Sequence, residues 1–593
     1  MTNFGRIGLR PEFVEGVTGF VEYAKTLEPF QRSGMIKCPC NKCQCLNYEK
    51  PDIVELHLYR NGFKREYTVW TSHGEIDNSF DVFQHYVLGE SSSAVNSNAQ
   101  NYRMHDMVQD AFGVHFDFES GNQGEEAPNA EFDPKLEIPD NFYKAKRLVS
   151  KLGLSSMRIH CCENGCMLYY KDDIDLESCK FCGKSHYKQT PSRKKVPIKV
   201  MHYLPLIPRL KRLYASNRSA PHMRWHHENR RPPGVMCHPS DGEAWKHFDR
   251  TYPQFAAEPR NIRLGLCSDG FTPHSVSAIP YSCWPVFVTP YNLPPEMCMT
   301  SPYIFLNCVI PGPRNPKVLI DVYLQPLIDE LKQLWVQGVE TFYVSLKQNF
   351  NLRTALMWTI NDFPAYGMLS GWMTAGKLAC PCCMENTKSF TLKHGRKNSW
   401  FDCHRQFLSM DHEFRSMKNA FRKNTVEQGC PPPILTGEQV WERVQQFPKV
   451  TEEQPYKFDG YGVAHNWTKQ SIFWELPYWK DNLLRHNLDV MHIEKNYFDN
   501  LFNTVIDVNG KTKDNVKARM DLPEYCRRKE LWLQEKQNNK FFKPKASYSF
   551  TLDQKRKICE WVEQLKMPDG HASNLGKRVD MEHGKLHGMK SHD

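Results

Sequence analysis

The sequence predicts an α/β fold with a mixed sheet flanked by helices, and three observations carry that prediction. Three apolar runs follow one another, "RNIRLGLCSDGF", "WPVFVTPYNLP" and "YIFLNCVIPGP", each closed by Gly, Pro or Asp-Gly. A long segment with helical spacing comes next, with Ile320, Leu324, Leu327, Ile328, Leu331, Leu334 and Trp335 on one face. A fourth apolar run, "RTALMWTINDFPAYG", completes the series. In the first run Ile262, Leu264 and Leu266 alternate with Arg263, Gly265 and Cys267, the period of two expected of a strand.

The order strand, strand, strand, helix, strand is that of a ribonuclease H-like core, in which the first and fourth strands lie side by side. Asp269 closes the first run and Asp362 the fourth, so this order would let the two carboxylates converge on one divalent cation. A third acid is offered by "LLRHNLDVMHIEKN". If residues 484–505 form one helix turning about 100° per residue, Val490, Phe498 and Leu501 lie within about 40° of Glu494. Glu494 then sits in the middle of an apolar face, and a carboxylate buried there is costly unless partnered. Asp489 lies about 140° round, among Arg485, His492 and Asn496. The helical reading therefore prefers Glu494 as the third ligand, with Asp489 as the alternative. Three carboxylates suit Mg²⁺ or Mn²⁺, hard cations that leave room for water and phosphate.

The whole chain has 593 residues, too many for one core, and is 40% hydrophobic and 24% charged. No apolar run is long enough to span a bilayer, so no membrane is expected. The N-terminus has no apolar signal region, and the 21 cysteines are expected to be reduced thiols, which in clusters point to metal rather than disulfides. The net charge of +10 is compatible with nucleic-acid binding. Composition divides the chain into a cysteine-containing domain at 1–89, a linker at 90–157, a zinc ribbon at 158–187, a core at 195–510 and a basic segment at 511–593. The basic tether with Arg193, Lys194 and Lys195 and the Lys/Arg-rich C-terminal segment are the expected phosphate contacts. The chain stops at "LHGMKSHD" without a terminating feature, as a fragment or truncated product would.

Three cysteine clusters suggest metal. In "CENGCMLYYKDDIDLESCKFCG" the pairs Cys162/Cys166 and Cys179/Cys182 are separated by twelve residues, the arrangement of a structural zinc ribbon. Four thiolates close the coordination shell, leaving no site for water. In "CPCNKCQC", Cys38, Cys40 and Cys43 with His57 could form a Cys₃His site, although Cys45 and His73 leave more candidates than places. Downstream, Cys380 and Cys383 form a C-x-x-C pair, followed by His394, Cys403 and His404. A zinc hydrolase would need an open position on zinc, and the clearest cluster is closed.

"SDGFTPH", "SCWPVFVTPYNLPPEMCM", "WTINDFPAYGMLSGW", "CPCCMENTKSFTLKHG", "SWFDCHRQFL" and "LLRHNLDVMHIEKN" resemble the transposases of plant CACTA (En/Spm-type) DNA transposons, the tnp2-like family, over about 195–520. The N-terminal "CPCNKC", "HLYRNGF" and "YTVWTSHGE" resemble the transposase-associated domain that often precedes it. The resemblance implies a DDE/D-type enzyme with a ribonuclease H-like core, small zinc-binding modules N-terminal and inserted at about 371–470, and a nuclear location. It implies double-stranded DNA, the transposon terminal repeats, as partner, and leaves open a second element-encoded protein and a homo-oligomer. Carried onto this chain, the acids are Asp269, Asp362 and one in "HNLDVMHIEKN". Tyr343, where such sequences often carry an acid, and Glu296, at a usually apolar position, depart from the pattern. These departures keep alive a non-catalytic reading, a decayed or co-opted transposase acting as a DNA-binding protein.

Overall fold

The computed structural model describes residues 11–43, 47–63, 156–189, 195–272, 281–400, 403–421, 424–452, 458–536, 540–566 and 575–588. The expected linker at 90–157 falls almost wholly outside these residues, as do Cys45, His73, Arg193 and Lys194. The chain divides into two compact units, Met1–Tyr86 and Val87–Asp593.

The first unit contains α1 (Pro11–Thr26), α2 (Glu28–Ser33), the paired strands β1 (Ile36–Lys37) and β2 (Tyr48–Glu49), and α3 (Pro51–Asn61). Val17, Phe20, Val21 and Ala24 make one stripe of α1 and pack with Val54 and Leu58 of α3. Cys38, Cys40 and Cys43 are buried in the same small core.

The second unit is organised by an eight-stranded sheet. It begins with β3 (Met157–Cys161), β4 (Leu168–Tyr169) and β5 (Lys199–Tyr203), followed by helices α4 (Leu206–Ala215) and α5 (Glu243–Thr251). The three apolar runs are β6 (Ile262–Ser268), β7 (Trp284–Pro290) and β8 (Phe305–Ile310), and the amphipathic segment is α6 (Ile320–Val336). A hairpin of β9 (Val339–Tyr343) and β10 (Gln348–Leu352) precedes β11 (Thr354–Asn361), the fourth run, and α7 (Phe363–Ser370) follows it. Next come the short pair β12 (Phe390–Thr391) and β13 (Asn398–Ser399), then α8 (Gly437–Val444), β14 (His486–Leu488) and α9 (Val490–Val505). The C-terminal part holds α10 (Val516–Tyr525), the pair β15 (Gln534–Lys536) and β16 (Lys540–Phe542), and α11 (Leu552–Gln564).

Across the main sheet the order is β14-β11-β6-β7-β8-β5-β3-β4. β6, β11 and β14 run parallel, with Leu264 opposite Leu356 and Leu488 opposite Asn361. From β6 to β4 every neighbour is antiparallel. All seven residues of β7 are buried, so both faces of the sheet are covered, and the run reads as continuously apolar rather than alternating. The alternation read in β6 has a different cause. Arg263 is buried as well, its guanidinium paired with Asp249 at 2.5 Å and lying 4.7 Å from the Trp245 ring centroid.

The β9–β10 hairpin was not anticipated: in "VETFY" the exposed positions are Glu340 and Phe342, so no polar alternation marks the strand. It places Tyr343 in the core beside Tyr214 and Phe350, so this departure from the family pattern fills apolar space. Glu296 lies exposed in a single helical turn, Pro295–Cys298. A second correction concerns the segment expected to be helical from 484. Residues 486–488 are a strand, and the helix starts at Val490. Three residues are too few for a period to be read, and their pairing partner lies more than a hundred residues upstream.

Between α7 and β14 the chain builds a satellite core from Trp372, Leu378, Val440, Val444, Phe447 and Trp467. Its return to the main unit is fixed by a fully buried ion pair. Lys469 (0% exposed) meets Asp321 (1%) of α6 at 2.5 Å. Asp321 also accepts from the Ile472 N–H at 2.9 Å, and Lys469 donates to the Val318 carbonyl at 2.9 Å. Burial pushes the carboxyl up and the ammonium down, and each partner opposes the other's shift. Removing one member leaves an uncompensated charge, so Lys469→Met should destabilise the chain by about 3–5 kcal/mol. Lys469→Met with Asp321→Leu should recover most of that loss, read as the denaturant midpoint of each variant.

Candidate active site and metal centres

Asp269, Asp362 and Asp489 each stand one residue beyond the C-terminal end of a parallel strand, β6, β11 and β14 respectively. The local chain turns sharply at each. After β6, the Asp269 carboxylate accepts from the Gly270 N–H at 2.6 Å. A Cβ at Gly270 would come within 2.7 Å of the Trp284 ring, so only glycine lets the chain leave the strand there. Asp362 is the N-cap of α7 and accepts from the Ala365 N–H at 2.9 Å. Asp489 is the N-cap of α9 and accepts from the Met491 N–H at 3.0 Å. Two of the acids thus sit where strand gives way to helix, and their side chains satisfy otherwise unpaired helix donors.

Asn361 holds the three strand ends in register. Its side-chain carbonyl accepts from the Ser268 N–H at 3.0 Å, tying β11 to β6. Its amide donates to Thr359 Oγ1 at 3.0 Å, and Thr359 Oγ1 lies 2.9 Å from His486 Nδ1 on β14. Its backbone carbonyl accepts from the Asp489 N–H at 2.8 Å. Burial first, then the nearby Arg485 and Lys469 charges, pushes His486 down to about 3, so the imidazole is neutral in this network. No sequence pattern singled out Asn361. It is a polar residue at the end of an apolar run, masked by the acid that follows it.

The acids share one electrostatic field. Asp269 is pushed up to about 7, by burial first and then by the charge of Asp362, with the Gly270 N–H opposing and Asp489 adding to the rise. Cys267, on the same strand end, is exposed to solvent.

Glu494, the preferred third acid, lies in the second turn of α9. It is exposed, and no residue of α9 is buried; Val490 is 62% and Leu501 52% exposed. The apolar face on which the preference rested does not pack inward, so the burial that would have demanded a partner for Glu494 is absent. The sequence signal for the alternative was available. An Asp directly before a helical run is an N-cap, which places Asp489 at a chain turn rather than within a helix.

Three Cys/His groups could bind structural zinc, each with ligand atoms within 4.8 Å of one another: Cys38, Cys40, Cys43 and His57; Cys162, Cys166, Cys179 and Cys182; and Cys380, Cys383 and His404. Zn–S bonds near 2.3 Å put tetrahedral sulfurs roughly 3.8 Å apart. Cys162 and Cys182 sulfurs are 3.5 Å apart, and Cys43 Sγ is 3.5 Å from His57 Nδ1, so both four-residue groups fit such an ion. Tight turns shape the ribbon: Gly165 and Gly183 follow Cys162 and Cys179 with positive φ, and their N–H groups close back on those cysteines' carbonyls. Cys161 is not part of that group. It points into the sheet, where burial pushes its thiol up to about 12.

In the third group the thiol of Cys380 is held down to about 4, chiefly by hydrogen bonding from Cys382. Such a ready thiolate is what a metal ligand requires. His394, an expected ligand, is not in this group. It lies in the turn between β12 and β13, and its N–H donates to Asp521 at 2.7 Å. Of the basic tether, Lys195 is described and pairs at the surface with Glu177 at 2.6 Å.

Residues 233–447 match the family model described as Transposase family tnp2, and residues 5–75 match the Transposase-associated domain. No curated protein matches the chain significantly. The two family matches support a transposase function and imply DNA binding. The tnp2 match contains Asp269 and Asp362 and ends before Asp489. Among the described residues no helix is long and apolar enough to cross a membrane.

Two outcomes test this geometry. A carboxyl whose folded pKa is raised favours folding while protonated, and the benefit disappears as pH climbs from its unfolded value near 4 through about 7. Without added divalent metal, wild type should therefore lose stability relative to Asp269→Asn across that window, measured as the difference in unfolding midpoints. In the ribbon, Cys166→Ser should lose one equivalent of zinc relative to wild type by elemental analysis. It should also lower the thermal midpoint, because β3 and β4 belong to the main sheet.

Proposed function

We propose that the chain is a DDE/D-type DNA transposase of the CACTA (En/Spm-type) kind, acting in the nucleus on transposon ends through Asp269, Asp362 and Asp489. The core is assigned to residues 195–510 with an insertion at about 371–470, and its fold is read as ribonuclease H-like. One observation carries the proposal: three acids at the carboxyl ends of three adjacent parallel strands, one of them driven to a pKa of about 7 by burial and by its neighbours. The strand order β8-β7-β6-β11-β14, with β11 and β14 parallel to β6, supports the ribonuclease H-like reading.

The donor set fits a hard divalent cation such as Mg²⁺ or Mn²⁺, because carboxylate oxygens are its preferred ligands. When bound, such ions activate a water or a 3′-hydroxyl and stabilise the leaving oxygen of an in-line phosphoryl transfer. The chain's own residues position and charge the site. Asp269 releases its proton near neutral pH to receive the cation. Asp362 and Asp489 are steadied by helix-end N–H groups, and Asn361 keeps the three strand ends from sliding apart. The cysteine groups are assigned structural roles, since their thiolates are soft donors that suit zinc rather than a hard cation.

Asn keeps the helix-capping oxygen while removing the charge, so Asn variants isolate the acids' role from helix stability. Asp269→Asn, Asp362→Asn and Asp489→Asn should each reduce Mg²⁺-dependent nicking of DNA carrying the matching terminal repeats by at least about a hundredfold, whereas Glu494→Gln should retain it. Nicking that survives in all three Asn variants would refute the assignment. A wild-type chain that binds such DNA without nicking it would favour the non-catalytic DNA-binding reading.

A further inference from the structure

We propose that the β15–β16 ribbon is a sequence-independent grip on the backbone of duplex DNA flanking the acid site; the choice of DNA rests on the transposase reading above. All six ribbon residues are exposed. The register pairs Gln534 with Phe542, Glu535 with Phe541 and Lys536 with Lys540. Gln534, Lys536, Lys540 and Phe542 therefore share one face.

Lys536 and Lys540 stand directly opposite each other, an arrangement that weakens a two-stranded ladder through like-charge repulsion. Among the described residues, neither has a carboxylate within ion-pair distance, although Lys543 just beyond the ribbon pairs with Asp507 at 3.1 Å. The Lys536 ammonium lies 4.8 Å from the Phe542 ring centroid, which steadies it without neutralising it. A phosphate held between the two ammonium groups would convert the repulsion into attraction.

Charge distribution favours the same partner. Residues 511–566 carry fifteen Lys and Arg against eight Asp and Glu, a surplus of seven out of the chain's +10. A two-stranded ribbon also has the width that the major groove of B-DNA admits.

The ribbon is anchored in relation to the acids. Lys543 donates to the Asp514 carbonyl at 2.8 Å, and Phe550 N–H donates to the Val505 carbonyl at 3.0 Å. The first contact ties the ribbon's exit to the segment between α9 and α10, and the second ties the chain after the ribbon to the C-terminal end of α9, whose N-cap is Asp489. The 16 residues of α9 span about 24 Å, or roughly seven base-pair steps. The chain leaving the ribbon is therefore anchored one α9 length from Asp489, a span shorter than one turn of a duplex.

The test is a binding titration of the full chain with a fluorescent duplex of about 30 base pairs and arbitrary sequence, repeated between about 50 and 200 mM salt. Lys536→Gln/Lys540→Gln should bind more weakly than wild type. Its plot of log K against log salt should be shallower by about two, and its thermal midpoint should be unchanged or raised. Lys536→Arg/Lys540→Arg should keep the wild-type slope. Unchanged affinity and slope in the Gln pair overturns the proposal, as does an Arg pair that binds as weakly as the Gln pair, or a wild type that prefers a single strand to the duplex. Loss of nicking in the acid variants with normal binding by the Gln pair would sink the ribbon and spare the transposase reading; the reverse pattern would do the opposite.

Discussion

Everything at the acid site depends on parallel pairing among three strands that chain connectivity does little to bring together. β6 and β11 are separated by two antiparallel strands, a helix and a hairpin, and β14 arrives only after the satellite core. Asn361 bonds β11 to the end of β6 through its side chain and to Asp489 through its carbonyl. Three carboxylates gathered without such a clamp would repel one another and splay the strand ends. Burial, and after it the charge of Asp362, raises Asp269 to about 7.

The same economy recurs where the satellite core rejoins the main unit. Lys469 and Asp321 are buried as a pair, and the Val318 carbonyl and Ile472 N–H add one hydrogen bond to each. A hydrophobic pair would pack there at lower desolvation cost, but it would not fix one entry point for the returning chain. The position of that return governs where Tyr478 and Trp479 pack and where β14 begins its three residues beside β11.

Long elements were legible because their period repeats. β6, β7, β8, α6 and β11 declare themselves through alternation, continuous apolarity or helical spacing, and Asp269 and Asp362 were visible because each ends such a run. Cysteine spacing disclosed the ribbon, since coordination requires the residues it uses. Short or long-range features were not legible. β14 is too brief for a period, and its parallel partner is remote in sequence, so a helix was extended through it and Glu494 was preferred over Asp489. His394 was grouped with Cys380 and Cys383 by proximity in sequence, while the β12–β13 turn carries it to Asp521. That β3 and β4 extend the main sheet could not be read from a cysteine pattern, because edge pairing leaves no local mark.

The long interval between the second and third acids has a consequence for biosynthesis. Asp489 follows Asp362 by 127 positions, and β14 can pair only after those residues have been made. At translation rates of roughly 5–20 residues per second, the nascent chain carries two acids for about 6–25 s before the third exists. On the proposed three-acid reading, a half-made chain beside the ribosome lacks its third acid throughout that interval, however well its first strands have folded. The same holds for any product that stops between residues 447 and 489: it would keep the whole tnp2-matching segment while lacking the residue that closes the proposed site.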